Sequence, residues 1–304
     1  MTYRHSMTMQ KQAFHQSINS QLVSRLFSSR IQNELMMHGR SRSALQYIKE
    51  SNILSEVSLQ LPLRDFFDSA YCYLKRNYRN EYVYKNVLAQ KIVLGIHSLT
   101  TSTMLSELRA GTSKADVVVL NGTSTVYEIK SELDSFARLA SQIASYQKVF
   151  DKVVVITSEE RIAELKTLVP PSVGIDVLTK RYQIHTERGP VSSPEKLDQA
   201  MIFDTLRKEE YREILTKHFG SIPAVPNGRA YSVYKRLFCQ LSPSVAHDEM
   251  VRILKRRTDA QLLSMYKAQL PTSLLASLFL IKFTQTQMRN FIAVLDREAE
   301  VALT

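Results

Sequence analysis

The stretch 107–147, ELRAGTSKADVVVLNGTSTVYEIKSELDSFARLASQIASYQ, constrains this chain more than any other. It holds two apolar runs, Ala115-Asp116-Val117-Val118-Val119-Leu120 and Val126-Tyr127-Glu128-Ile129-Lys130, with Asn121-Gly122 between them. Two β-branched runs joined through Asn-Gly predict a hairpin, because the tight turn needs the positive φ that these residues tolerate. A Val-Val-Val-Leu run suits a strand buried on both faces. Charges fixed in such a frame are costly unless they have a partner or a task.

Residues two apart on a strand share a face. Glu128 and Lys130 therefore face one way and Ile129 the other, while the adjacent strand presents Asp116. A divalent cation such as Mg2+ or Mn2+ needs hard oxygen ligands on a rigid frame. Asp116 and Glu128 offer two, and the Ile129 backbone carbonyl a third. A lysine beside two carboxylates can orient a water or steady the charge that builds on a phosphate. The plainer reading of the same residues is a salt bridge on a half-exposed sheet.

Around this stretch the pattern alternates. Apolar spacings of three and four predict helices over 21–50, broken at Gly39–Ser43 with Ser41 or Ser43 as the next cap, and from Asp65 as an N-cap. Further helices are predicted over 80–97, with Glu81 in the first turn, and over 135–150, capped by Asp134. Strands are predicted near Leu105–Arg109, at Ala115–Leu120, Thr125–Ser131, Lys152–Thr157 and Val173–Leu178, with a short helix ended by Pro170-Pro171. The order β-β-β-α-β-α-β implies an α/β core of about 100 residues. Residues 1–20 read as a loosely held arm and 98–106 as a Ser/Thr-rich loop. Residues 181–194, with Gly189-Pro190, read as a linker, and Ser193-Pro194-Glu195 as a helix start. Several helices follow, one of them a buried helix over Leu274–Ile281 that is too short to span a bilayer. The expected divisions are a helical region 1–77, a core 78–180, a linker 181–194 and a basic helical region 195–304.

Charge bears on the partner. The formal net charge of +11 and pI near 9.5 favour a polyanion, nucleic acid before membrane. Residues 229–257 set Arg229, Lys235, Arg236, Arg252, Lys255, Arg256 and Arg257 against Asp248 and Glu249, with Tyr231, Tyr234 and Phe238 interleaved. Such a segment can grip phosphates and stack bases; equally, it can be a solvated helix face with its aromatics in the core. Arg109 and Lys114 at the hairpin mouth are further phosphate contacts. Cys72 and Cys239 give neither a disulfide framework nor zinc spacing, which fits a reducing, cytoplasmic setting. The N-terminal residues lack the apolar core of a secretory leader.

Asp116 followed by Glu128-Ile129-Lys130 on the next strand resembles the PD-(D/E)XK nuclease superfamily, with Ala115 where the name-giving proline would stand. Gln142-Ile143-Ala144-Ser145-Tyr146 on the following helix is similar to the QxxxY motif of the branch related to the RecB nuclease domain, and Gly111 also suits that branch. Over roughly residues 78–180 the arrangement resembles bacterial and phage nuclease-like proteins. The resemblance implies a restriction-endonuclease-like core, a mixed central sheet flanked by helices, with helical regions at both ends. It implies phosphodiester hydrolysis, with Asp116 and Glu128 binding Mg2+ or Mn2+ and Lys130 assisting the attacking water. Gln142 and Tyr146 would contact the substrate phosphate or brace the metal ligands, and Glu81 would be a further metal-side carboxylate. The expected substrate is DNA ahead of RNA, with a homodimer or a protein partner through the helical flanks left open and no membrane role. The other readings are a nucleic-acid-binding or regulatory protein that keeps the fold without turnover, and an RNA-directed nuclease of a defence or toxin system.

Overall fold

A computed structural model describes residues 18–96 and 101–304. Most of the expected arm 1–20 and the start of the 98–106 loop lie outside these residues. The chain forms two compact units, one of residues 1–90 with 261–304 and one of residues 91–260. The boundaries expected at 77/78 and 194/195 are therefore not the boundaries of compaction.

The larger unit is built on six strands in sequential order: β1 (Thr103–Ala110), β2 (Ser113–Leu120), β3 (Ser124–Lys130), β4 (Lys152–Ser158), β5 (Gly174–Leu178) and β6 (Ile184–Arg188). β1, β2 and β3 pair antiparallel, β3, β4 and β5 parallel, and β6 returns antiparallel on β5. The sheet is mixed and the unit is α/β, as the alternating pattern predicts. The β2–β3 hairpin forms through residues 121–123 with Gly122 at φ 91°. Every residue of β3 and β5 is buried, which is why their sequences carry no hydrophobic alternation. Helix α1 (Leu139–Tyr146) connects β3 to β4, and α2 (Ile162–Leu168) connects β4 to β5. The unit continues through α3 (Gln199–Thr205), α4 (Lys208–Phe219), α5 (Asn227–Phe238) and α6 (Pro243–Lys255). Their apolar faces share one core with the sheet, including Ile143, Tyr146, Val155, Phe203, Phe238 and Met250.

Residues 181–194 are not a linker. Ile184–Arg188 is the sixth strand, too polar in sequence to announce itself because four of its five residues, His185, Thr186, Glu187 and Arg188, are polar at a sheet edge. The segment after it is clasped by Asp151, whose carboxylate accepts bonds from Ser192 Oγ, the Ser193 N–H and Thr123 Oγ1 at 2.7–2.9 Å. Burial pushes that carboxyl up, but the three donors and His247 outweigh it and hold it below its ordinary value. Ser193-Pro194 opens only a single 3-10 turn; the helix proper is capped by Asp198, which accepts from the N–H groups of Ala200 and Met201. Asp134 caps no helix either. Its Oδ2 takes the Ser131 N–H and hydroxyl, folding the loop that precedes α1.

The smaller unit is helical. Ser29–His38 ends at Gly39 with φ 66°, and Ser41 caps Arg42–Glu50, as predicted. Asp65 sits inside the first turn of Leu63–Asn77, not at its cap. Phe27, Phe67, Tyr71 and Tyr82 pack as an aromatic cluster. The C-terminal segment belongs here because its backbone satisfies these helices: Tyr82 donates to the Ser273 carbonyl at 2.6 Å, and Asn86 bonds the Thr272 carbonyl and the Ala276 N–H. The expected helix over Leu274–Ile281 is buried but shorter, Ser277–Leu280 only.

Candidate functional site

The β2–β3 ladder runs as far as Val117↔Tyr127. In an antiparallel ladder the next mutually bonded pair would be Ala115 and Ile129. Instead, Asp116 Oδ2 accepts the Ile129 N–H at 2.8 Å. The side chain has replaced the backbone as acceptor, and the strands part at the charged end of both runs. The N–H and C=O of one strand residue point to the same edge, so the Ile129 carbonyl faces the same gap as its N–H.

Glu128 lies on the opposite side of its strand from Ile129. Its carboxylate is 1% exposed and is held on both oxygens. Oε1 accepts from Lys130 Nζ at 2.7 Å and from Gln142 Nε2 at 2.5 Å, and the Tyr146 hydroxyl lies 2.7 Å from Oε2. Lys130 Nζ also donates to Gln142 Oε1 at 3.0 Å. Glu128, Lys130 and Gln142 close a ring of three bonds and Tyr146 adds a branch on Glu128: the sheet supplies Glu128 and Lys130, and one face of α1 supplies Gln142 and Tyr146, four apart. The Tyr146 hydroxyl also lies 2.9 Å from the Lys114 carbonyl, which ties α1 to β2. Burial raises the Tyr146 hydroxyl far above its ordinary pKa, and the charge of Glu128, the bond to it and the charge of Asp116 add to the effect. Both carboxylates thus act on one hydroxyl. Tyr146 is fully buried, with its hydroxyl against Glu128.

These groups fit a hard divalent cation in part. Asp116 is half-buried rather than enclosed, the Ile129 carbonyl faces the gap beside it, and Glu128 Oε2 has taken one donor where a carboxylate oxygen has room for two. No cluster of three or more His, Cys, Asp or Glu side chains occurs among the described residues. Glu81 belongs to the other compact unit and is paired with Lys85 at 2.5 Å.

The remaining expected contacts divide sharply. Arg109 and Lys114 face each other across β1 and β2, and Lys114 is ion-paired with Glu107, whose backbone is left-handed at φ 59°. Gly111 makes the β1–β2 turn at φ 58°, where a Cβ would meet Met201 Cε at 2.7 Å. In the basic segment, Lys235 is bonded to Asp204 through both carboxylate oxygens, and Arg252 to Glu249 and Glu213. Arg256 pairs with Glu213 and Arg257 with Glu210, while Lys255 donates to the Thr101 carbonyl. Arg229 and Arg236 are exposed and have no ion-pair partner among the described residues. The sequence window counted only Asp248 and Glu249 against these cations; α3 and α4 bring the other carboxylates.

Sequence reasoning missed His247. Its Nε2 lies 2.8 Å from Ser124 Oγ, both residues buried, and Ser124 Oγ also accepts the Asp151 N–H. Only the fold joins positions so distant in sequence. With both groups sealed from solvent, the pair stitches α6 to the start of β3.

A family model described as Bacteriophage P4 protein cII matches residues 74–276. Protein cII of Enterobacteria phage P4 is 26% identical over 127 residues, which cover 40% of this chain and 47% of that protein. The match thus spans about half the length of the curated relative. A protein of unknown function from Silicibacter pomeroyi aligns at a TM-score of 0.28 and 19% identity, over 42% of this chain and 87% of that one.

Proposed function

We propose that this chain, which belongs to the bacteriophage P4 protein cII family, is a metal-dependent nuclease hydrolysing phosphodiester bonds, in DNA ahead of RNA, on a restriction-endonuclease-like core. The observation that carries the reading is the buried Glu128 carboxylate, bonded to Lys130, Gln142 and Tyr146 beside a gap that Asp116 holds open. A salt bridge alone needs neither a tyrosine and a glutamine converging on one carboxylate nor a ladder broken at Asp116.

The division of labour follows from the donors available. Asp116 and the Ile129 carbonyl, with Glu128 Oε2, are the oxygens that would hold Mg2+ or Mn2+. The ion, when bound, would supply Lewis-acid polarisation of the phosphate and lower the pKa of a water. Lys130 has three ammonium protons and spends two inside the ring, so one remains for the attacking water or a phosphate oxygen. Gln142 and Tyr146 fix the Glu128 carboxylate and keep Lys130 aimed. Arg109, exposed opposite Lys114, is the cation of this pair left to meet a neighbouring phosphate, since Lys114 is already paired with Glu107.

One observation favours a second reading, a nucleic-acid-binding or regulatory protein without turnover: Glu128 is already satisfied by protein donors alone. The test is incubation with supercoiled, linear and single-stranded DNA and with RNA, in Mg2+, Mn2+ or chelator, beside Asp116→Asn. Metal-dependent cleavage that the substitution abolishes is the expected result. Intact binding with no cleavage of any substrate sinks the nuclease reading in favour of the second.

A further inference from the structure

The exposed surface of α5 carries an aromatic ring that is both open and immobilised. Tyr231 is 53% exposed. Its hydroxyl donates to Asp204 Oδ1 at 2.5 Å, and its ring meets buried Phe203 edge-on, with centroids 5.5 Å apart. Phe203 is itself stacked on Tyr211 at 4.4 Å. Lys235, one turn along, is bonded to the same Asp204 and lies 5.5 Å from the centre of the Tyr231 ring. One turn the other way, Asn227 accepts from Lys208 Nζ at 3.4 Å. Asn227, Tyr231 and Lys235 are spaced by four and form one stripe of the helix. Arg207 and Lys208 beside it are exposed, with Glu209 and Glu210 the opposing charges in the same turn, Glu210 being paired with Arg257.

A surface tyrosine needs no such pinning for solubility. Held at both ends, its ring loses little freedom when something flat is laid on it, which is what makes an aromatic an efficient anchor. A basic rim around a rigid exposed ring suits a ligand that alternates flat apolar faces with negative charge. We propose that Tyr231 is a stacking platform for an unpaired nucleobase, with Arg207 and Lys208 meeting the adjoining phosphates. The proposal rests on nucleic acid being the partner in the reading above. It moves the grip from the arginines of α6, which are bonded to Glu210, Glu213 and Glu249, to the α4–α5 junction.

The test is equilibrium binding of the full chain, in chelator, to a labelled single-stranded oligodeoxynucleotide, the matching oligoribonucleotide and the DNA duplex. Tyr231→Ala weakens single-strand binding about tenfold and duplex binding far less; Tyr231→Phe, which keeps the ring but loses the bond to Asp204, binds between the two. The chain has no tryptophan, so Tyr231→Trp gives a sole indole, and its fluorescence is quenched when a single strand stacks on it. Replacing Arg207 and Lys208 together by Ala flattens the dependence of log K on log salt by about 1.4. Tyr231→Ala binding a single strand as tightly as the parent, an indole unquenched at saturation, or a loss confined to duplex overturns the proposal. Tyr231-dependent binding without cleavage in Mg2+ supports the platform and removes the nuclease reading. Cleavage indifferent to Tyr231 does the reverse.

Discussion

Two regions of the larger unit carry most of its notable charge, and they use it in opposite ways. At the end of β3, Glu128 and Lys130 are joined by Gln142 and Tyr146 from within the next sixteen residues, in a cluster where Glu128, Lys130 and Tyr146 are buried and Gln142 is half-buried. In α5, in α6 and just after it, the basic residues are joined by Asp204, Glu210 and Glu213 from other helices; Arg256 and Glu213 are exposed, while Arg257 and Glu210 are largely buried. Charges paired in a buried ring are expensive to disturb, because a partner removed leaves the other uncompensated. Charges paired at the surface are screened and contribute little each. The comparison separates a buried cluster of paired charges from a helical surface whose stretch of cations is largely internally neutralised.

The strongest way to break this contrast is at Asp116. Asp116→Asn keeps an oxygen for the Ile129 N–H but loses the charge. Metal-dependent cleavage is expected to fall by about 10^3-fold, the several kcal/mol that a metal supplies to a transition state, with the thermal melt little changed. A melt that collapses along with activity would make Asp116 a structural residue. Next comes Lys130→Met against Arg256→Ala in urea unfolding. The first is expected to cost about 3–5 kcal/mol, since it strands Glu128; the second, below about 1 kcal/mol. Equal losses would erase the distinction between the two regions. Tyr146→Phe removes one donor from Glu128 and the tie to Lys114, with an expected cost of about 1–3 kcal/mol.

The smallest effect concerns Glu249. Burial pushes its carboxyl up, but bonds from Lys217, Arg252 and His218 win and hold it at about 2. A carboxyl depressed in the folded state adds stability that is fully present above its ordinary value of 4.5. That stability is lost as pH falls from there toward 2. Glu249→Gln should therefore remove that contribution at neutral pH and flatten the acid limb of the stability curve in that window, so that mutant and parent converge as pH falls toward 2. An acid limb identical to the parent's would remove Glu249 from the account.

Much of the candidate site was legible because its residues are local. Asp116, Glu128 and Lys130 belong to one hairpin, and the spacing of Gln142 and Tyr146 puts them on one helix face. The hairpin itself, the strand starting at Lys152 and the cap at Ser41 follow from turn chemistry and periodicity. The sixth strand was not legible, because His185, Thr186 and Glu187 give it no apolar signal and its ladder comes entirely from β5. The role of Asp134 was missed because a carboxylate ahead of a helix has more than one nearby backbone donor to choose from, and here Ser131 takes it.

By itself, then, the sequence determined the hairpin, the face shared by Glu128 and Lys130, and the α/β alternation, since each depends on torsion preferences and spacings within a few residues. The tertiary structure alone decided which charges meet. It closed the ring on Glu128, set Ser124 against His247, handed the α5 and α6 cations to Asp204, Glu210 and Glu213, and pinned Tyr231 on Phe203. Electrostatic pairing falls off over a few ångströms of space, not of sequence, so net charge along a window cannot report the charge a partner meets.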